Sequence, residues 1–266
     1  MTDESTPLPR SERAHYLREP APWVAGCSDT GRRHRTNQDA MCLAVRSDPR
    51  AEAVLAIADG VTTAHGSELA SLVATETAVE TLIQALGAGT PANVAFVQAF
   101  AAANDEVLAA SEDPSACTLI AAAIQPGVIA VGNVGDSRAY WFCDDGSTEL
   151  LSVDDSMAQA RMMLGMSRDD AEQSNQAHAI TKWLGRQATN VTPSVLTLQP
   201  RANGWLLLCT DGLWNYASSP EDMSALFSAQ VSRSPSPAAL AEALVAWANE
   251  QGGKDNVTVV VARVEQ

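Results

Sequence analysis

The sequence predicts an α+β sandwich, on three observations. Four short apolar runs have the length of buried strands and carry an aspartate at or beside one end. Two long alanine-rich segments lie side by side between strand groups, which suits separate strand and helix layers better than strict βαβ alternation. A chain of 266 residues, 46% hydrophobic, can also bury a full core in one large domain.

Residues 1 to 20 are polar and proline-containing and are expected to form a loosely held tail, leaving 21–266 as the single domain. A first strand is expected near Trp23–Cys27, followed by the arginine-rich turn Gly31-Arg-Arg-His-Arg-Thr-Asn37-Gln38-Asp39 and strands at Ala40–Val45 and Ala53–Ala58. Ser67–Leu86 has helical periodicity, with Ser67 and Glu68 suited to its start. The turn Gly87-Ala-Gly-Thr-Pro91 separates it from a second helix reaching about Ser111.

Strands return at Cys117–Ile124, Val128–Val134 and Arg138–Phe142. The segment from Asp154 to about Thr192 is methionine-rich and helical in pieces, and Met157, Met162, Met163 and Met166 are expected to serve as packing residues. After the strand Trp205–Cys209 come helices at Pro220–Val231 and Ala238–Gln251, then a closing strand at Val257–Val264.

Composition narrows the function. A net charge of −15, from 32 acids against 17 bases, leaves no basic excess to neutralise nucleic-acid phosphates or an anionic membrane. Five widely spaced cysteines without a CxxC pair read as free thiols in a reducing compartment. No run of about 18 apolar residues occurs, and the N-terminus lacks a signal-peptide pattern, so a cytoplasmic protein is expected.

The aspartates carry the chemistry. The runs are Val54-Leu-Ala-Ile-Ala-Asp59-Gly60, Ile129–Val134 leading to Gly135-Asp136-Ser137-Arg138, Trp205–Cys209 leading to Thr210-Asp211-Gly212, and Asp255-Asn256 ahead of Val257–Ala262. Carboxylates converging at one edge of a sheet repel one another unless cations offset the charge, and hard oxygen-binding ions, Mn²⁺ or Mg²⁺, are the natural occupants.

With Asn37-Gln38-Asp39, Gly66-Ser-Glu68-Leu-Ala70-Ser71 and Ala179-Ile-Thr-Lys-Trp-Leu184-Gly185, these motifs resemble, in order, those of the metal-dependent protein serine/threonine phosphatases in their compact bacterial form. This is the PPM, or protein phosphatase 2C, type. The resemblance implies a four-layer αββα sandwich of two antiparallel sheets flanked by helices, with the metal site at one edge. It implies hydrolysis of phosphoserine and phosphothreonine in proteins by a metal-bridged water. Asp59 would bridge two central ions, the Gly60 carbonyl would complete one site, and Asp39, Asp211 and Asp255 would hold the other. Asp136 would bind a weaker third ion together with Asp211; an ion pair with Arg138 that orders the turn is a second reading, compatible with the first. Asp154–Thr192 would be the flap beside the site.

Two places depart from the family pattern. His34 stands where relatives carry a phosphate-binding arginine, so Arg33, His34 and Arg35 are the phosphate-binding candidates. His65, the candidate general acid, lies one position later than the histidine of bacterial relatives. A catalytically weak or inactive phosphoprotein-binding regulator is therefore the alternative reading. Expected partners are phosphoproteins modified by a serine/threonine kinase, with no nucleic acid, no membrane and a monomeric state.

Overall fold

The computed structural model describes residues 13–61, 64, 66–112 and 114–265. In chain order its elements are β1 His15–Ala21, β2 Val24–Asp29, β3 Ala40–Arg46, β4 Glu52–Ala58, α1 Ser67–Gly87, α2 Ala92–Ala110, β5 Ala116–Cys117, β6 Leu119–Gln125, β7 Val128–Val134, β8 Arg138–Cys143 and β9 Thr148–Leu150. They continue as α3 Met157–Met163, α4 Arg168–Glu172, β10 Leu184–Gly185, β11 Ser194–Leu198, β12 Gly204–Cys209, α5 Asp211–Trp214, α6 Pro220–Val231, α7 Pro237–Glu250 and β13 Val257–Val264.

Two antiparallel sheets, ordered β1-β2-β13-β12-β8-β9 and β11-β7-β6-β4-β3, form the centre. Side-chain alternation along each strand builds the layers. Val54, Ala56 and Ala58 of β4 join the cluster that includes Phe96 and Phe100 of α2, while Leu55 and Ile57 point the other way. Between the sheets, Leu55, Ile57, Ile120 and Val131 meet Leu206, Leu208, Val260 and Ala262. On the far side, Leu207, Val259 and Val261 pack against Met223 and Phe227 of α6 and Leu240 and Leu244 of α7. Alanines on α1 and α2 (Ala70, Ala74, Ala78, Ala95, Ala99, Ala103) let these helices lie close to the sheet. By length and composition α1 is apolar enough to cross a membrane, but its buried face is committed to α2, β3 and β4.

Two expectations need correction. The tail does not extend to residue 20: among the described residues, His15–Ala21 is an edge strand paired with β2. Its alternation of exposed and half-buried positions lets polar residues occupy it, which hides it in the sequence. Residues 1–12 lie outside the described residues. As expected, α1 starts at Ser67 with Glu68 in its first turn; its N-cap is Gly66 with φ 73°, and Ser67 is buried, accepting a hydrogen bond from the Gln38 side-chain amide. The flap methionines also divide in role. Met162 packs beside Ala158, Ala171 and Ala177, whereas Met163 and the adjacent Leu164 are 77% and 89% exposed.

The register brings the acidic strand ends together. Ala40 pairs with Ala58, placing Asp39 and Asp59 side by side on adjacent strands. Cys209 pairs with both Val259 and Arg138, drawing Asp211, Asp255 and Asp136 toward the same edge of the sandwich. The flap is rooted there too: Asp155 N–H donates to the Gly135 carbonyl at 2.8 Å, and Thr181 N–H donates to the Asp155 carbonyl at 2.7 Å.

Candidate metal centre and active site

Asp39 is fully buried just ahead of β3. Its Oδ2 accepts hydrogen bonds from the Thr210 hydroxyl at 2.9 Å and the Thr258 hydroxyl at 2.8 Å. Behind Thr258 the donors run in one direction: Asn37 Nδ2 to Ser28 Oγ at 2.8 Å, then Ser28 Oγ to Thr258 Oγ1 at 2.8 Å. This relay fixes one oxygen of Asp39 and leaves Oδ1 buried without a partner. Asp211 repeats the pattern, with Oδ2 accepting from Asn215 Nδ2 at 3.0 Å and Oδ1 buried and unpartnered. Buried acceptors normally find donors, so two orphaned carboxylate oxygens at one site call for a cation.

The electrostatics agree. Burial, with the charges of Asp255 and Asp211 added, pushes the Asp39 carboxyl up to about 7 despite its two threonine donors. Burial and the charge of Asp255 push Asp211 up to about 6, and Asp59 stands within hydrogen-bonding reach of it. Asp59 is raised well above the usual carboxylate range by burial, then by Asp39, Asp211, Asp136 and Asp255. Asp136 is raised likewise by burial, Asp211 and Asp154. A proton retained between acids occupies the place where a larger cation would be more effective.

Among the described residues, no three aspartate, glutamate, histidine or cysteine side chains already form a closed set for one ion. Mg²⁺ needs only one or two carboxylates beside several waters, so the acids present fit a hydrated hard ion. Cys117, bridged to Gly60, is no competing ligand, because burial and Asp59 push its thiol well up and keep it protonated. Gly60 is held tightly: a Cβ there would come 2.6 Å from the Gln38 carbonyl and 2.8 Å from that of Ser67. At Gly212 a Cβ would lie 2.0 Å from the Asn256 carbonyl, so the backbone after Asp211 passes where no side chain fits.

The structure separates the three phosphate-binding candidates. His34 is half-buried, with Nε2 3.3 Å from Asp255 Oδ1. Arg33 is exposed and lines a cleft that includes Asp255 and Gly212. Arg35 lines a different cleft with Arg13, Asn37 and Glu68, and it is not brought to the carboxylates. His65 lies outside the described residues. Asn256 clamps the arginine turn: its Oδ1 accepts from Gln38 N–H at 2.8 Å, and its Nδ2 donates to the Thr30 and Thr36 carbonyls at 2.8 and 3.2 Å.

Arg138 does not order its turn by pairing with Asp136. Its guanidinium forks onto Asp154, with Nε 3.1 Å from both carboxylate oxygens and Nη2 2.8 Å from Oδ2. It also stacks 3.8 Å from the Trp214 ring and donates to the Ser218 carbonyl at 2.8 Å. One buried cation thus ties β8, the flap entrance and the segment after α5. Arg138→Met is expected to cost about 3–5 kcal/mol by leaving Asp154 buried and unpaired. A thermal melt should show a drop on the order of 10 °C, and a midpoint within 2 °C of wild type would refute the tie.

Sequence reasoning assigned no role to Thr210, Thr258, Ser28 or Asp154. Thr210 and Thr258 sit inside the quoted motifs, but a threonine in a strand carries no mark of the carboxylate it serves. Asp154 is sixteen residues from Arg138 and meets it only through the fold.

With this geometry in place, comparison with known proteins is informative. A sequence profile described as protein phosphatase 2C matches residues 30–249. The serine/threonine phosphatase stp of Listeria welshimeri is 29% identical over 145 residues, 54% of this chain and 55% of that protein. The chain spans about half the length of the first curated relatives it matches. Among solved structures, the PPM Ser-Thr phosphatase MsPP from Mycobacterium smegmatis, in complex with cacodylate, is 31% identical with a TM-score of 0.67, covering 90% of this chain and 97% of that one. The catalytic domain of the serine threonine protein phosphatase PstP, in complex with two manganese ions, is 28% identical with a TM-score of 0.65, covering 94% and 99%.

Proposed function

The chain belongs to the protein phosphatase 2C family, and from that premise we propose that it removes phosphate from phosphoserine and phosphothreonine in proteins, using Mn²⁺ or Mg²⁺. The observation that carries this reading is the pair of orphaned oxygens, Asp39 Oδ1 and Asp211 Oδ1, among five mutually repelling aspartates at one sheet edge. Asp39, Asp59, Asp211 and Asp255, with the Gly60 carbonyl, would hold two central ions, and Asp136 with Asp211 a weaker third. All of these donors are oxygens, which favours hard divalent ions. When bound, such ions make a water nucleophilic near neutral pH and offset the charge developing on the phosphoryl oxygens.

The chain's own residues do the positioning. Thr210 and Thr258 hold Asp39 from behind, and Asn215 holds Asp211, so each presents its free oxygen in a fixed direction. His34 steadies Asp255. We assign the incoming phosphate to Arg33 rather than Arg35, because Arg33 is exposed and shares a cleft with Asp255 and Gly212, while Arg35 lines a different cleft. The regulator alternative has little support from this arrangement, since a disused site has no reason to keep so much buried like charge. A cytoplasmic monomer acting on the products of a serine/threonine kinase remains our reading of the chain's composition.

The test is turnover of an aryl phosphate and of a phosphothreonine peptide with Mn²⁺, with Mg²⁺ and with excess chelator. Turnover is expected with either ion and should vanish on chelation. Undiminished turnover in chelator would overturn the mechanism.

A further inference from the structure

A cleft of about 350 Å³ opens beside the carboxylates, between the arginine turn, the flap and the segment after α5. We propose that it is a subsite for a second anionic group on the substrate, a carboxylate or phosphate one or two residues from the phosphorylated side chain. The proposal rests on the phosphatase reading above and deepens it by naming the substrate class: phosphopeptides with a further negative charge beside the scissile group.

Charge accounting is the first argument. In a chain of net charge −15 with only two lysines, free cations are scarce. Lys182 is spent on Asp155 at 3.1 Å. Lys254 is exposed, lines the cleft, and among the described residues has no carboxylate partner within ion-pair distance; the same holds for Arg33 on the opposite loop. Among the described residues, the one acid lining the cleft, Asp255, is already faced by His34 at 3.3 Å. The charge of the scissile phosphate would be met by ions held at the carboxylate cluster and by Arg33, so Lys254 is surplus to that task.

Preorganisation is the second. The Lys254 backbone N–H donates to the Tyr216 hydroxyl at 3.0 Å, which fixes the lysine's starting point and leaves the Tyr216 O–H free to donate into the cleft. His178, from the flap, supplies a further wall, its ring tilted 38° against Trp214 at a centroid distance of 6.1 Å. The cleft volume falls in the range of small-ligand pockets and exceeds what one phosphoryl group needs. Lys254 and Gly212 directly adjoin Asp255 and Asp211 in sequence. An extended peptide advances about 3.3 Å per residue, so its next side chains reach the cleft while the phosphate is at the cluster.

The test uses fluorescent peptides with a non-hydrolysable phosphonate in place of phosphothreonine, flanked by aspartate, by a second phosphorylated residue, or by alanine. Anisotropy with the manganese-loaded protein should show the anionic peptides binding about 5- to 10-fold tighter than the alanine peptide, as charge-assisted contacts in a half-buried cleft allow. The aspartate and phosphate arms identify which anion is preferred. Lys254→Ala should narrow that ratio to about 2-fold and Lys254→Glu should invert it. Equal affinity for all three peptides, or the same proportional loss for each in Lys254→Ala, would overturn the subsite. A clear preference in binding, with no turnover of the hydrolysable peptides, would uphold the subsite and sink the phosphatase reading alone.

Discussion

Asp211→Asn is expected to lower manganese-dependent kcat/KM by about 10³-fold or more while raising the melting temperature of the metal-free protein by a few degrees. The first effect follows from the unpartnered Oδ1. Asparagine keeps the shape and can still accept from Asn215, but it brings no negative charge to a divalent ion. Losing about 4 kcal/mol of transition-state stabilisation corresponds to a thousandfold. The second effect has the opposite sign because Asp211 is a burden in the metal-free fold: burial and the charge of Asp255 push its carboxyl up to about 6. A neutral side chain relieves that repulsion, and its amide can donate to Asp59, which already lies within hydrogen-bonding reach. Each kcal/mol relieved is worth roughly 2–4 °C at this chain length. The two readouts separate a lost ligand from a damaged fold. Activity within tenfold of wild type would remove Asp211 from the metal centre, and a lowered midpoint would contradict the repulsion argument.

The parts of this site legible in the sequence were those fixed by backbone and burial. An apolar run with an aspartate at or beside one end announces a buried strand with a carboxylate at its mouth: Asp-Gly follows β4 and, one residue on, β12, Gly-Asp follows β7, and Asp255-Asn256 precedes β13. The edge strand β3 was legible from its apolar run, but the other edge strands were not. In β1, β9 and β11 one face is solvated and the runs are short or polar, so the apolar signal is diluted. A single stretch was expected over Cys117–Ile124, but the chain breaks at Thr118, whose hydroxyl accepts the Asp59 N–H at 3.0 Å.

Contacts set by tertiary structure were invisible for a different reason. The direction of His34 depends on where Asp255 arrives from the far end of the chain. The fates of Arg33 and Arg35 depend on which side of the clamped turn each residue leaves. Asp154 gives no hint that it will bury a salt bridge, because its partner is chosen by the β8–flap junction. Motifs therefore located the acids, while the geometry identified the residues that hold them: the Thr210 and Thr258 hydroxyls at Asp39 and the Asn215 amide at Asp211.

In excess chelator, the protein is expected to lose stability as pH rises from about 5.5 to 8, by on the order of 10 °C in melting temperature; millimolar Mn²⁺ should cancel or reverse the trend. Asp39 and Asp211 titrate near 4 when unfolded, but in the metal-free fold they are pushed up to about 7 and about 6, chiefly by burial. Asp59 and Asp136 are shifted upward as well. Between the ordinary carboxylate value and these raised ones, the folded chain holds more protons than the unfolded chain, so stability falls as pH climbs through the window. Metal binding works in the other direction. It requires the same carboxyls to release their protons, so affinity grows with pH, and binding only the folded state stabilises it by mass action. Thermal melts at several pH values, with and without Mn²⁺, read both slopes. A chelated protein whose melting temperature increases from pH 5.5 to 8 would mean that these aspartates do not repel one another in the fold, and the cation requirement would lose its physical basis.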